Sequence, residues 1–377
     1  MTERPTLLAV CTVPPWPTHD GYALRVANLL RELSNHWAIT LVAPEADPVP
    51  AYIAAHVPVR LTGRGFTYPW RFDQTPLRAA VERAVRDHRP GRALVWPGAE
   101  AIWFGRKDLP PAVADIIDCN PLEFWRGFAR YRDLRRRYWA GREILVSTWN
   151  ARRIGQSFVS TVCVGEADAA CQRRIGGASP VHVIPNGVIV PDGDPHAGEA
   201  AAPTLCFTGS LDFQPNIEAV HFAADVVWPH VRAAMPEARF IIAGRSPGPD
   251  IIALGDRPRI EIFPNVAEMN TVIGEAWVCI APMHSGVGIK NKILEAWARG
   301  RPTVLTPLAS NGLIVPPDHA TLVREGALEM ADEIVRLFRD PESRYALGLS
   351  ARENVRQYFT WAGAAARMDA LLKASVS

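Results

Sequence analysis

Short apolar runs alternate with amphipathic segments in the first half of the chain. Residues 6–13 form an apolar run of strand length, and residues 22–33 repeat apolar side chains with the period of a helix. A second apolar run follows at residues 37–43. A strand, a helix and another strand in this order predict a βαβ unit with parallel strands. Further strands are expected at 93–96, 116–118, 161–164 and 181–184.

The alternation stops at residues 191–203, a stretch of Pro, Gly, Ala and Asp without any period, and then resumes. Breakers without periodicity predict a linker. After it we expect strands at 205–209, 240–243, 260–263, 277–282 and 303–306, and helices at 216–234, 267–275, 290–299 and 328–339. The pattern predicts an α/β chain with two Rossmann-like, doubly wound parallel sheets. The expected domains are 1–190 and 204–355, with a terminal helix at 356–377 returning to the first domain.

Composition narrows the class of protein. A chain of 377 residues exceeds one ordinary core, so two domains are expected. The net charge of +2 gives no overall attraction to nucleic acid, so we expect no nucleic-acid partner. The N-terminal apolar run is too short to span a membrane and lacks a signal-peptide pattern, so a cytoplasmic location is expected. Six scattered cysteines without a CxxC pair predict buried free thiols rather than disulfides or a zinc site.

Lysine is rare in this chain, and its distribution is informative. Arginine supplies nearly all the positive charge, and the four lysines are Lys107, Lys290, Lys292 and Lys373. Two of the four lie two positions apart in a glycine-flanked loop. A compact ammonium group retained there indicates a role as a point charge.

That loop, residues 284–296, follows an apolar strand and begins a helix. Gly286 and Gly288 allow close approach to a ligand, and the helix start offers free N–H groups and partial positive charge. Lys292, Asn291 and Glu295 share one helix face. These features predict a phosphate at the helix start and a ribose at Glu295. The alternative is an ordinary strand–loop–helix with an exposed Lys–Glu pair, which contributes little.

Several motifs resemble one family of enzymes. They are Phe207-Thr208-Gly209-Ser210, Ile241-Ile242-Ala243-Gly244, Gly286 to Glu295, Glu295-Ala296-Trp297-Ala298-Arg299-Gly300-Arg301-Pro302, Pro185-Asn186-Gly187-Val188 and Tyr358-Phe359-Thr360-Trp361. Together they resemble the retaining glycosyltransferases of the GT-B fold, family 4. Gly209-Ser210 with Gln214-Pro215-Asn216 resembles the branch found in bacterial polysaccharide-type sugar transferases.

The resemblance implies a fold of two facing Rossmann-like domains with a nucleotide-diphosphate sugar in the cleft between them. It implies that Glu295 binds the donor ribose, that Lys292 meets the diphosphate, and that Asp118 contacts the transferred sugar. We expect Lys292 and Asp118 to be the catalytic residues. The remaining expected donor-binding residues are Gly21, Gly209, Arg245, Val266, His284, Gly286, Val287, Gly288, Ile289 and Asn291.

The sequence departs from the family pattern at two positions. Val287 occupies the place of the first family glutamate, which usually touches the transferred sugar. Asn216 stands where the family has a second phosphate-binding lysine, and Arg245 is a candidate replacement.

The expected function is a metal-independent, retaining, hexosyltransferase-type transfer from a nucleotide-diphosphate sugar, with no metal site and no cofactor beyond this co-substrate. The acceptor stays open between a glycan, a lipid-linked sugar and a small molecule, as in polysaccharide or natural-product biosynthesis. A non-catalytic nucleotide-sugar-binding GT-B protein is the alternative from another class, and an epimerase of the same fold is less favoured.

Residues 123–143 form an arginine-rich, aromatic, helical stretch. One interpretation is peripheral contact with an anionic membrane at its inner face, or guidance of a phosphorylated or aromatic acceptor. The other, which we favour from sequence, is that the aromatic side chains pack on the first sheet while the arginines face water.

Overall fold

The computed structural model describes residues 4–18, 20–45, 48–61, 73–97, 104, 107–130, 133–286 and 288–374. The chain divides into two compact units. The first unit comprises Met1–Asn186 and Trp361–Ser377, and the second comprises Gly187–Thr360.

The first unit contains a parallel sheet with the strand order β3-β2-β1-β4-β5-β6-β7 among its described residues. Its strands are β1 (Thr6–Cys11), β2 (Ala38–Ala43), β3 (Ala55–Pro58), β4 (Arg92–Trp96), β5 (Ala112–Ile117), β6 (Ser160–Cys163) and β7 (Val181–Val183). The helices between them are α1 (Gly21–Leu33), α2 (Thr75–His88), α3 (Asn120–Arg130), α4 (Leu134–Ser157) and α5 (Glu166–Ile175). The strands are nearly continuous apolar runs because helices cover a parallel sheet on both faces.

The second unit contains a smaller parallel sheet, β10-β9-β8-β11-β12. Its elements are β8 (Thr204–Ser210), α6 (Gln214–Phe222), a π-helical turn (Ala223–Val227), α7 (Trp228–Ala234), β9 (Arg239–Arg245), α8 (Pro249–Ile252), β10 (Ile260–Pro264), α9 (Met269–Glu275), β11 (Val278–Ala281), α10 (Asn291–Ala298), β12 (Thr303–Leu305), α11 (Ala327–Arg339) and α12 (Pro341–Tyr358). Both sheets are doubly wound, so the predicted α/β fold class is confirmed.

The last helix, α13 (Trp361–Ala374), belongs to the first unit. Its buried residues Trp361, Met368 and Leu372 join the apolar cluster beneath β1 and α1. The indole of Trp37 donates a hydrogen bond of 2.7 Å to Asp369 Oδ1 on this helix. The C-terminal segment is therefore part of the first core.

Several elements differ from the sequence expectations. The strand expected at 116–118 is β5, Ala112–Ile117, because the buried Asp115 interrupts its apolar run. Strand β3 was not predicted, since it is a short edge strand that contains His56 and ends at Pro58. The helix expected at 216–234 is divided by the π-helical turn.

The expectation that the aromatics of residues 123–143 pack on the sheet is wrong. The stretch forms two helices, and Asp133 caps the second by accepting a hydrogen bond of 2.7 Å from the Arg136 amide. Trp125 and Tyr138 are 60% and 66% exposed. The buried face of α4 instead consists mainly of small or polar residues, which are Ala140, Ser147, Asn150, Ala151, Ile154 and Gly155.

Residues 191–203, expected as a linker, belong to the second unit, and the change of unit comes at Asn186–Gly187. Arg301 donates a hydrogen bond of 2.6 Å to Glu199, and the Trp277 indole donates one of 2.8 Å to the Ala200 carbonyl. The Arg352 guanidinium donates to the Gly193 carbonyl at 2.8 Å. These bonds hold the irregular segment against the second unit without any helix or strand.

A buried ion pair joins α1 to the middle of the first sheet. The Arg25 guanidinium donates two hydrogen bonds to Asp115, at 2.7 and 3.1 Å. Asp115 also accepts a bond of 3.0 Å from the Trp96 indole, while Arg25 donates one of 2.9 Å to Asn186 Oδ1. Both charges are fully desolvated, so each depends on its partner for compensation.

Two further properties concern the described residues as a whole. None of their helices combines the length and apolar character needed to cross a membrane. The six cysteines are free, and all except the partly exposed Cys171 are buried.

We predict that Asp115→Ala destabilises the first unit by about 3–5 kcal/mol, because it leaves the Arg25 charge buried without its carboxylate. Hydrogen exchange of the β1 and β4 amides measures this unit alone. The control is Glu166→Ala, which removes the exposed partner of Arg173 and should cost less than about 1 kcal/mol. Equal effects of the two substitutions would contradict the prediction.

Candidate functional site

The loop between β11 and α10 has the backbone of a ligand-binding turn. Gly286 and Gly288 have φ values of 98° and 68°, in the left-handed region that favours glycine. The buried Lys290 folds back on the loop, where its Nζ donates a hydrogen bond of 3.0 Å to the Gly288 carbonyl. Ile289 is also buried. The loop is thus anchored from inside, and the first amides of α10 follow it directly.

Lys292 lies in the first turn of α10 and reaches the end of β8. Its Nζ donates a hydrogen bond of 2.6 Å to Asn216 Oδ1 and lies 4.0 Å from the centre of the Phe207 ring. The Asn216 amide in turn donates to the Ser210 carbonyl at 2.8 Å. A Cβ at Gly209 would lie 2.9 Å from Lys292 Nζ, so only glycine leaves this space open.

The surroundings of Lys292 disfavour its charge. Burial is the main cause that lowers its pKa from 10.5 to about 7, and Lys290 lowers it further, while Glu295 acts in the opposite direction. The hydrogen-bond acceptors of this ammonium group, Asn216 Oδ1 and the Met283 sulfur, are both neutral, so a nearby anion would favour its charged form. Lys292 is therefore a candidate contact for an anionic group.

Glu295 follows Lys292 by three residues on the same helix. Its side chain is partly buried, and burial raises the pKa of the carboxyl group although Lys292 lowers it. Among the described residues, no hydrogen bond or ion pair to this carboxylate is found. The inner face of α10, with Ile293, Leu294 and Trp297, is buried in the unit, as the pattern predicts. The carboxylate of Glu295 can therefore accept hydrogen bonds from outside the protein.

Arg245 ends β9 directly opposite Ser210 at the end of β8. Its guanidinium donates a hydrogen bond of 2.9 Å to Ser210 Oγ. A Cβ at the neighbouring Gly244 would lie 1.8 Å from the Gly209 carbonyl oxygen, so glycine is required for the two strand ends to meet. The register brings Arg245 to the strand end that carries Gly209.

Val266 and His284 lie on the loops that follow β10 and β11. Val266 is partly buried, with Phe263, against the apolar cluster of the sheet. His284 is exposed, and its ring meets the edge of the Phe222 ring at a centroid distance of 4.6 Å. Beside it, Ser285 donates a hydrogen bond of 2.7 Å to Glu218 on α6. Val287 lies outside the described residues.

Gly21 and Asp118 belong to the first unit. Gly21 is the exposed first residue of α1, and Asp20 caps this helix by accepting a hydrogen bond of 2.8 Å from the Ala23 amide. Asp118 follows a bulge in β5 at which Ile117 adopts φ 64°, a rare conformation for a β-branched residue. Such strain next to a polar residue is often found at functional sites.

Asp118 is partly buried and lines a cavity of about 50 Å³ with Asn150 and Gln172. Asp118 is therefore not a fully solvated carboxylate. The Cys119 amide beside it donates a hydrogen bond of 2.9 Å to Asp168 on α5, which fixes the backbone after the bulge.

Within the second unit, the structure thus brings several of the expected residues together. They are Gly209 at the end of β8, Arg245 at the end of β9, and Lys292 and Glu295 on α10. Sequence reasoning missed the role of Asn216, because it recorded this residue only as a departure from a family lysine. The sequence did contain a signal for it. Gln214-Pro215-Asn216 begins α6 directly after β8, so the side chain of Asn216 lies near the end of that strand. Across the described ranges, no group of three or more His, Cys, Asp or Glu side chains could hold a metal ion.

A model of a known protein family matches the region of the chain that contains this site. Residues 202–340 match the family model of glycosyl transferases group 1. This region lies within the second unit and includes Gly209, Arg245, Lys292 and Glu295. A comparison with curated proteins found no match.

Solved structures with similar folds cover nearly the whole chain. Alr3699/HepE of Anabaena, solved with UDP and glucose, is 13% identical with a TM-score of 0.70, over 98% of this chain and 100% of that one. WaaG, a glycosyltransferase involved in lipopolysaccharide biosynthesis, is 11% identical with a TM-score of 0.66, over 97% and 99%. The N-terminal domain of Candida albicans trehalose-6-phosphate phosphatase is also 11% identical with a TM-score of 0.70, over 99% and 98%.

At these identities the structures establish the fold alone. The third protein is named for a different activity, so the fold cannot by itself assign a reaction. The chain has the α/β fold of GT-B glycosyltransferase structures, and residues 202–340 of its second unit match the model of glycosyl transferases group 1.

Proposed function

We propose that this protein transfers a glycosyl group from a nucleotide-diphosphate sugar to a hydroxyl group of an acceptor. The observation that carries the proposal is the first turn of α10, where the Lys292 ammonium group is held by Asn216 at 2.6 Å and loses hydration. The family match over residues 202–340 supports the same reaction class.

The donor diphosphate binds against the amide groups at the start of α10, beneath the backbone of Gly286 and Gly288. Lys292 supplies a full positive charge there, and the helix supplies a partial one. Arg245 adds a second cation from the end of β9. One turn along α10, Glu295 accepts hydrogen bonds from the ribose hydroxyl groups. Val266 and His284 line the rest of the donor site.

In the transfer step, the bond between the anomeric carbon and the bridging phosphate oxygen breaks, and a bond from the acceptor oxygen to that carbon forms. The acceptor proton passes to the departing diphosphate on the same face of the sugar, so the anomeric configuration is retained. Lys292 and the helix amides stabilise the negative charge that develops on the leaving group, without a metal ion. Retention is supported by the resemblance to family 4, and its readout is the anomeric coupling constant of the product.

We assign the acceptor to the first unit. In the same unit, Gly21 at the start of α1 is assigned to donor binding, as the family resemblance implies, and Asp118 follows the strained Ile117. Asp118 contacts the transferred hexose in this proposal. A glycan, a lipid-linked sugar and a small molecule all present a suitable hydroxyl group, and turnover with each class distinguishes them.

A thermal-shift screen against UDP, GDP and ADP, followed by turnover assays with the corresponding sugars, tests the proposed function. A ligand at a hundred times its Kd stabilises the protein by about 2.7 kcal/mol. Binding with release or transfer of sugar supports the enzyme. Tight binding without turnover for every acceptor class would instead identify a non-catalytic nucleotide-sugar-binding protein.

We predict that Lys292→Ala lowers kcat by about a hundredfold or more, because the ammonium group meets charge that develops on the leaving diphosphate. Steady-state kinetics with the donor identified by the screen measures the effect. The matched control is Lys373→Ala, which removes an exposed lysine paired with Asp369 on α13 and should leave kcat unchanged. Undiminished turnover of the Lys292 variant would exclude this role.

The affinity for the nucleoside diphosphate should fall as the pH rises from 7 to 9. Only protonated Lys292 attracts the anion, and its pKa in the free protein is about 7, so affinity falls by up to about tenfold per pH unit. Isothermal titration calorimetry in buffers of different ionisation enthalpy measures both the affinity and the proton taken up. Lys292→Arg should remove this pH dependence, because arginine stays protonated. A flat wild-type profile would contradict the prediction.

Asn216→Asp is expected to move the fall in affinity to higher pH. A carboxylate in place of the neutral acceptor at 2.6 Å favours the charged form of Lys292 and raises its pKa. The same calorimetric titrations give the new midpoint. A midpoint that does not move would show that Asn216 does not set the charge state of Lys292.

A further inference from the structure

Helix α4 carries an exposed apolar stripe on the side opposite its buried face. Leu134, Tyr138, Leu145 and Trp149 lie within about 60° of one another around the helix, since each residue advances about 100°. Their exposed fractions range from 42% for Trp149 to 81% for Leu134. The stripe is therefore presented to solvent although the helix already packs on the unit through its other face.

Arginines flank this stripe on both sides. Arg137 lies along one edge, and Arg135 and Arg142 lie along the other. Arg137 stacks over the Phe128 ring of α3 at 4.7 Å, and Arg142 stacks over the neighbouring Trp139 ring at 4.9 Å. These contacts keep the long side chains along the aromatic surface and leave their charges at its border.

The charge of the chain is concentrated on this helix. Residues Leu134–Ser157 contain six arginines and one glutamate, a net charge of +5. The whole chain carries +2, so the remaining residues together carry −3. The partner of this surface must consequently be anionic, and it must also accept tryptophan, tyrosine and leucine side chains.

We propose that α4, together with the exposed Trp125 of α3, binds the surface of an anionic lipid bilayer. The tyrosine and tryptophan rings and the leucines enter the boundary between headgroups and acyl chains, while the arginines contact lipid phosphates. The helix lies on the membrane, because its seven charged residues prevent it from crossing. A second copy of the chain is a poorer partner, since a symmetric contact would oppose two +5 surfaces.

The test is co-sedimentation of the full chain with vesicles of phosphatidylcholine containing phosphatidylglycerol, against vesicles of phosphatidylcholine alone. We expect binding to the mixed vesicles that weakens as salt is raised, and at least tenfold weaker binding to the neutral ones. Arg135→Gln/Arg137→Gln, one arginine from each edge of the stripe, should weaken binding by about thirtyfold. Leu134→Ser/Leu145→Ser should abolish binding at low lipid concentration.

The controls are matched substitutions outside α4. Leu328→Ser/Leu349→Ser removes two leucines that are 59% and 53% exposed, and Arg86→Gln/Arg356→Gln removes two exposed arginines. Both should bind vesicles like the wild type. Circular dichroism confirms that each variant retains its helices.

Three results would overturn the proposal. They are equal binding to neutral and anionic vesicles, equal losses in the α4 and control variants, and binding of an RNA oligonucleotide through the same arginines without any binding to vesicles. Because the thermal shift with nucleoside diphosphates should be the same in all four variants, failure here is distinguishable from failure of the proposed transfer reaction.

Discussion

The candidate site depends on a lysine ammonium group that the fold partly buries. Lys292 lies between the Phe207 ring and Asn216, and its one short hydrogen bond is to a neutral acceptor. A carboxylate in that place would satisfy the charge and remove the driving force for binding an anion. The neutral amide instead fixes the position of the ammonium group while leaving its charge uncompensated.

The departures from the family pattern have a consistent electrostatic consequence. Where the family has a second lysine, Asn216 accepts a hydrogen bond from Lys292. The cation at the end of β9 is Arg245, which donates a hydrogen bond to Ser210 Oγ. Two ammonium groups side by side would each disfavour the other's charge. Lys290 at the start of α10 already lowers the pKa of Lys292, and Asn216 adds no further ammonium group beside it. The other cation, the Arg245 guanidinium, lies at the end of β9. The donor phosphates would therefore meet one desolvated point charge and one planar, permanently charged group.

The sequence predicted the second unit more completely than the first, and the difference has a physical origin. In the second unit most strands have an apolar centre, with Glu261 in β10 as an exception, and α10 follows a glycine-containing loop, so periodicity and turn chemistry agree. In the first unit, the charged Asp115 lies in the middle of β5, and only the three-dimensional pairing with Arg25 explains how it can be buried. No local pattern could reveal a partner 90 residues away. Asn216 was missed for the same reason, since its role depends on Lys292, 76 residues further along the chain.

The aromatic, arginine-rich stretch shows a different limit of sequence reasoning. Periodicity identifies a helix with apolar residues, but it cannot tell which of two apolar or neutral faces meets the protein. In α4 the small residues Ala140, Ala151 and Gly155 allow close packing on the unit, and this choice turns Leu134 and Tyr138 outward. Exposing large apolar side chains beside a charge of +5 has no benefit for folding, which is why we propose a partner for this surface. Because the arginine-rich helix belongs to the first unit and Lys292 to the second, the two proposed roles can be tested by separate substitutions.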